Sequence, residues 1–183
     1  MPWIINNFNY LELKHHIFLT GYMGSGKSTT GKKLATQLKV DFYDLDAIIE
    51  KKEGKTIQQL FEEIGEHDFR ELESKALKQL VKLLCKNSVI SLGGGTVCFN
   101  DNLSFIKENG VLVYLKANAK TLFNRLVNAK SERPLLKGKT EEELLSFIEE
   151  NLQGREPFYS QANIQSDIIN LSIESLISQI EKI

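Results

Sequence analysis

Three glycines, a lysine and a serine stand together in Gly21-Tyr22-Met23-Gly24-Ser25-Gly26-Lys27-Ser28, directly behind the short apolar run Ile17–Leu19 and Thr20. The spacing Gly-xxxx-Gly-Lys-Ser is that of a phosphate-holding loop. A triphosphate carries several negative charges, and side chains with a Cβ would keep the backbone away from it. Glycines let successive N–H groups turn inward as an anion nest. A helix starting near Lys27 adds the positive end of its dipole. Gly24, Ser25, Gly26, Lys27, Ser28 and Thr29 are therefore the candidate ATP-binding residues. Lys27 would reach the β- and γ-phosphates, and the Ser28 hydroxyl would ligate Mg²⁺. The alternative is a chance glycine loop joining a strand to a helix. The strand–loop–helix setting around the motif argues against it.

A nest alone does not separate a kinase from a nucleotide switch or a motor. The second metal contact is usually an Asp that ends an apolar strand. Here Val89-Ile90-Ser91-Leu92 runs instead into Gly93-Gly94-Gly95. The acids follow another run, as Asp44-Leu45-Asp46. In extended backbone, residues two apart point the same way. Both carboxylates would then face one crevice, Asp44 toward the metal and Asp46 toward a substrate hydroxyl. The alternative is that Asp46 caps a helix at Ala47 while Asp44 is solvated.

These residues need elements to hold them, and the pattern along the chain supplies candidates. Short apolar runs at Ile17–Thr20, Val40–Leu45, Val89–Leu92, Val111–Leu115 and Ile164–Ile169 read as strands. Helices are expected over Lys27–Leu38, Ala47–Glu53, Asp101–Asn109, Ala119–Val127 and Ile173–Ile180. Thr56 with Gln59, and Thr140 with Glu143, form capping boxes for helices through Ile64 and Leu152. A long helix over Glu66–Cys85 is expected to follow a stop at Gly65. Strands alternating with helices imply an α/β fold: a five-stranded parallel sheet with helices on both faces. Ligands of such sheets gather at the carboxyl ends of the strands.

The bulk numbers bound the setting. In 183 residues there is room for one domain with a proper core. Lys plus Arg number 23 against 24 Asp plus Glu. That balance speaks against a general nucleic-acid or membrane-surface binder, so an anion must be met by a local site. Cys85 and Cys98 make neither a disulfide framework nor a metal pair, which fits a reducing, cytoplasmic setting. No run approaches the roughly 20 apolar residues of a membrane span. Residues 1–13 read as an extension without the pattern of a signal peptide. His15, His16 and His67 are scattered and read as structural or solvated.

Beyond the glycine loop, DLD at Asp44–Asp46, FRELE at Phe69–Glu73, SLGGGTV at Ser91–Val97, ERPLL at Glu132–Leu136 and REPFY at Arg155–Tyr159 occur in one order and spacing. Together they resemble the shikimate kinases over roughly residues 17–160. That resemblance implies a P-loop kinase sandwich like the nucleoside monophosphate kinases. It implies substrate-binding helices near 46–85 and a mobile lid near 128–140. The activity implied is transfer of the ATP γ-phosphate to the 3-hydroxyl of shikimate, with Mg²⁺, in a monomeric enzyme. Asp46 matches the acid that holds the reacting hydroxyl, and Asp44 an acid near Mg²⁺ acting through water. Arg70 and Arg155 match the guanidinium groups that grip the substrate carboxylate, with Glu73 steadying Arg70. Gly93, Gly94 and Gly95 match a loop closing on the ring. Arg133 matches a lid arginine at the transferring phosphate, and Arg125 a residue stacked on adenine.

Local readings of the arginines stay open beside this one. Arg70 sits where it can pair with Glu66 or Glu73 on its own helix. Arg155 reads equally as an exposed loop residue. The chain also departs from the resemblance, since Asn170-Leu171-Ser172 lacks the proline often found in the adenine-side loop. Rival functions are a small-molecule kinase for gluconate or a nucleotide, and a nucleotide-binding switch without catalysis.

Overall fold

Neighbouring residues of the first apolar run are all sealed from solvent, although alternate residues of a strand point to opposite faces. A sheet carrying such a run must be covered on both sides. The computed structural model describes residues 15–128 and 140–183. The expected extension at 1–13 and most of the expected lid, Arg133 included, lie outside the described residues.

The chain runs β1 (His16–Thr20), α1 (Lys27–Leu38), β2 (Phe42–Asp44), α2 (Leu45–Glu53), α3 (Ile57–Leu83) and β3 (Val89–Ser91). A single 3₁₀ turn at Thr96–Cys98 leads to α4 (Asn102–Asn109), β4 (Gly110–Lys116) and α5 (Ala119–Val127). Beyond residue 140 come α6 (Glu141–Tyr159), β5 (Ile164–Asp167) and α7 (Ile173–Ile180). The strands form one five-stranded sheet in the order β2-β3-β1-β4-β5, and every pairing is parallel. In register, Asp44 lies beside Ser91, Ser91 beside Leu19, and Thr20 beside Tyr114. The carboxyl ends of β1, β2 and β3 therefore open onto the glycine loop, the DLD acids and the triple glycine.

Two cores sandwich the sheet. Ile17, Leu19, Val111 and Val113 face Leu34 and Leu38 of α1, Leu122 of α5, Ile148 of α6 and Leu176 of α7. Phe18, Ile90 and Leu112 face Ile49 of α2, Phe69 and Leu77 of α3, and Ile106 of α4. Each fully buried Leu, Ile or Phe contributes about 1.5–3 kcal/mol. At the foot of β1, His16 accepts a hydrogen bond from the Ser88 backbone N–H through Nδ1 at 3.2 Å. Its role is structural, as expected, and burial pulls its pKa down. Among the described residues no helix is long and apolar enough to cross a membrane.

Gly65 ends one helical stretch and opens the next, as expected: its φ of 78° and ψ of 171° are not helical and kink α3 there. Two other elements depart from the sequence reading. The helix opened by the Thr140–Glu143 capping box runs past Leu152 to Tyr159, so Arg155 belongs to a helix and not a loop. The second strand is shorter than expected, and α2 begins at Leu45. Asp46 is thus helical, and the extended-backbone argument for its direction does not apply. The cap of α2 is Asp44, whose Oδ1 accepts from Ala47 N at 3.4 Å.

Candidate active site

The glycine loop turns tightly after β1 because Gly24 and Gly26 hold φ of 83° and 93°, in the left-handed region. Gly26 is also the N-cap of α1 and has no side chain to cap the first amides. Those N–H groups stay directed at whatever anion lies in front of the helix. Lys27 curls back over the loop, and its Nζ donates to Gly21 O at 2.8 Å and Tyr22 O at 3.3 Å. Ser28 and Thr29 are exposed in the first turn of α1, while Ser25 is buried under the loop. On the outer side, Arg125 of α5 donates through Nη1 to Gly24 O and Ser25 O, both at 3.3 Å. The guanidinium expected at adenine is thereby held against the phosphate loop.

Ser28 Oγ donates to Asp44 Oδ2 at 2.6 Å, joining α1 to the end of β2. A hydroxyl and a carboxylate are hard oxygen donors, and this pair suits Mg²⁺, which keeps most of its water and leans on phosphate oxygens. No cluster of three His, Cys, Asp or Glu side chains that would make a dedicated metal cage occurs among the described residues.

Asp46, in the first turn of α2, is half-buried. Desolvation pushes its pKa up from 3.8 to about 6. The Lys27 ammonium opposes that rise, while the carboxylates of Glu73, Asp44 and Glu50 add to it. An acid in that range is ionised at neutral pH yet ready to take a proton. It also lies against the triple-glycine loop, since a Cβ at Gly93 would stand 2.9 Å from Asp46 Oδ1 and 2.6 Å from Glu73 Oε1.

Both arginines converge on the same loop from separate helices. Arg70 of α3 is buried, with Nη1 on Glu73 Oε2 at 2.8 Å and Nη2 on Glu66 Oε1 at 3.2 Å. Both local pairings open to it are made. Its guanidinium lies 4.3 Å from the Phe99 ring centroid and 5.2 Å from that of Phe61. A Cβ at Gly95 would lie 2.7 Å from Arg70 Nη2. Arg155 of α6 donates from Nη1 to Gly94 O at 3.2 Å and sits 5.2 Å above the Tyr22 ring. The glycines therefore let the site's own side chains close in on the loop backbone.

Other members of this constellation escaped the sequence reading. The Tyr159 hydroxyl donates to Gly94 O, the same carbonyl that Arg155 uses. Tyr159 lies four residues after Arg155, and that i, i+4 spacing would have shown a shared face had α6 been extended far enough. Thr96 Oγ1 donates to Glu73 Oε1 at 2.6 Å. Asn102 Nδ2 donates to Thr96 O at 2.9 Å, and Ser74 Oγ donates to Asn102 Oδ1 at 2.7 Å. No spacing rule marks these three, because they meet only through the fold.

A nucleotide site alone has no need of two guanidinium groups around a second loop. Their convergence beside the nest and Asp46 defines a P-loop phosphotransferase with an anionic acceptor. Known proteins narrow the class. The shikimate kinase family matches residues 23–183. A shikimate kinase of Bacteroides fragilis is 50% identical over 147 residues, covering 80% of this chain and 81% of that one. The crystal structure of shikimate kinase from Bacteroides thetaiotaomicron superposes with a TM-score of 0.83 at 44% identity, over 92% of this chain and 95% of that one. Shikimate kinase from Acinetobacter baumannii, in complex with shikimate, gives 0.79 at 34% identity over 93% of each. The chain belongs to the shikimate kinase family. Phosphorylation of shikimate with ATP, within aromatic biosynthesis, is the activity this membership carries.

Proposed function

We propose that this chain transfers the γ-phosphoryl group of ATP to the 3-hydroxyl of shikimate, with Asp46 at that hydroxyl and the carboxylate held between Arg70 and Arg155. The observation that carries the reading is the meeting of those arginines, 85 positions apart (155 − 70), at adjacent glycines of one loop. Arg presents a planar fork that matches a carboxylate.

Lys27 leaves its loop carbonyls for the β- and γ-phosphates. Gly24, Ser25, Gly26, Ser28 and Thr29 surround the phosphate chain, and Arg125 braces the loop beside the adenine end. Ser28 would hold Mg²⁺ directly and Asp44 would hold it through water, and the ion would supply charge neutralisation at the phosphates. Asp46 orients the substrate oxygen along the line of attack. That oxygen bonds to the γ-phosphorus, the bond from phosphorus to the β–γ bridging oxygen breaks, and the hydroxyl proton passes to the Asp46 carboxylate. ADP and shikimate 3-phosphate leave. In a loose transition state positioning outweighs early proton removal. Residues 46–85 form the substrate-binding segment of a single domain, and Arg133 of the lid at 128–140 meets the transferring phosphate. The enzyme works as a cytoplasmic monomer without nucleic-acid or membrane partners.

The test is ADP release measured side by side with shikimate, gluconate and nucleoside monophosphates, with product analysis of the phosphorylated position. Turnover with shikimate alone supports the reading. Comparable turnover with gluconate or a nucleotide, or phosphate on another hydroxyl, removes it.

A further inference from the structure

Arg70 is expected to receive the carboxylate of the substrate, yet its side chain is only 9% exposed. Some group must move before an anion can touch it. Nη1 is bound to Glu73, which is 1% exposed and is itself held by Thr96. Phe61, Phe69 and Phe99 surround the guanidinium. Glu73 and Phe69 cannot leave without opening the core. The remaining partner differs in kind. Glu66 takes Nη2 through Oε1 at 3.2 Å, and its side chain is 59% exposed. Glu66 also follows Gly65, where the φ of 78° kinks α3 and a Cβ would meet nothing within 4 Å.

We infer that Glu66 is an internal competitor for the substrate: its carboxylate occupies the outer nitrogen of Arg70 in the empty site and is displaced by the carboxylate of the incoming ring acid. The inference rests on the assignment of Arg70 to substrate binding. The exchange is one carboxylate for another, so the guanidinium is never left buried and unpaired. Glu66 swings into water, where its solvation is regained. The pair thus sets the affinity for the acid and keeps Arg70 oriented between turnovers. The phosphate side of the site plays no part in the exchange.

Steady-state kinetics and direct titration of shikimate test this. Glu66→Gln is expected to lower KM and Kd for shikimate about threefold, the scale of a half-exposed ion pair, with kcat and the KM for ATP unchanged. Asp68→Asn is the charge control. It is exposed and two positions along the helix from Arg70, about 200° around the axis. It should leave the shikimate KM unchanged. An unchanged or higher KM in Glu66→Gln overturns the competitor role, the higher value showing that Glu66 only props Arg70. An equal fall in Asp68→Asn also overturns it, in favour of general charge repulsion. Arg70→Lys separates the premise: a raised KM upholds the assignment of Arg70, whereas an unchanged KM removes that assignment and this inference with it.

Discussion

Asp46 must be both enclosed and charged, and the enclosure is what tunes it. Burial raises its pKa to about 6, with Lys27 pulling the other way. Two outcomes follow from the sign of that shift. In catalysis the ionised form is the one that accepts the proton, so kcat/KM should fall as pH drops through about 6. In stability the folded chain binds the proton more tightly than the unfolded chain, whose carboxyl titrates near 3.8. Stability is therefore lost as pH rises between those values and stays reduced above them. Asp46→Asn should lower kcat by about 10²–10⁴-fold with little change in the KM for ATP. The same variant should raise Tm above pH 7, on a scale of about 2–4 °C per kcal/mol for a domain of this size. That gain should vanish near pH 3. Equal loss of turnover and ATP binding, or an unchanged Tm, would return Asp46 to an ordinary surface acid. The sequence marked this residue by its place in DLD, and only its alternative reading, with Asp46 as the helix cap, is overturned. Asp44 is the helix cap and Asp46 the enclosed acid, because α2 starts two residues earlier than its apolar pattern suggests.

Elements fix how close the site residues come, and the triple glycine shows the tolerance. A Cβ at Gly95 would stand 2.7 Å from Arg70 Nη2, 2.9 Å from Cζ and 3.0 Å from Nη1. The end of an arginine is ordinarily free to step aside. This one is packed among three phenylalanine rings and tied to Glu73. Gly95→Ala should therefore raise the KM for shikimate at least tenfold, about 1.4 kcal/mol, while the KM for ATP stays within twofold. Parallel loss of ATP affinity would mean that the loop, not the arginine, had moved. Much at this scale was legible beforehand. Helices α1, α5 and α7 have the expected limits, and both capping boxes form. Gly65 interrupts the helix where expected; what local pattern misread was the end of α6. Gly154 and Pro157 are poor helix formers, yet α6 runs through both and its last turn is pinned from outside. Glu156 accepts from the Tyr114 hydroxyl and from Lys116 Nζ, both at 2.8 Å, and Tyr159 donates to Gly94 O. Such contacts across 40 or more positions leave no trace in a window of ten.

At the scale of the whole molecule, strand order is what makes a site from scattered pieces. With β1 between β3 and β4, the loops after β1, β2 and β3 share one edge, and α6 crosses above them to deliver Arg155. Arg155 on Gly94 and Glu156 on β4 join that edge to both cores, because Leu144 and Ile148 of α6 pack in one and Tyr159 in the other. A ligand bridging the loops therefore binds the folded chain alone and must stabilise all of it. Mass action sets the size: a ligand at one hundred times its Kd adds about 2.7 kcal/mol, or roughly 5–10 °C in Tm at this chain length. Mg·ATP and shikimate should each produce such a shift in calorimetry. Arg155→Ala should keep the shift caused by Mg·ATP and lose most of the one caused by shikimate at the same concentration. Its own Tm should fall only slightly, since Tyr159 and Glu156 still anchor the helix end. If both ligand shifts survive in that variant, Arg155 lies outside the acid's pocket, and the edge assembled by the strand order holds ATP alone.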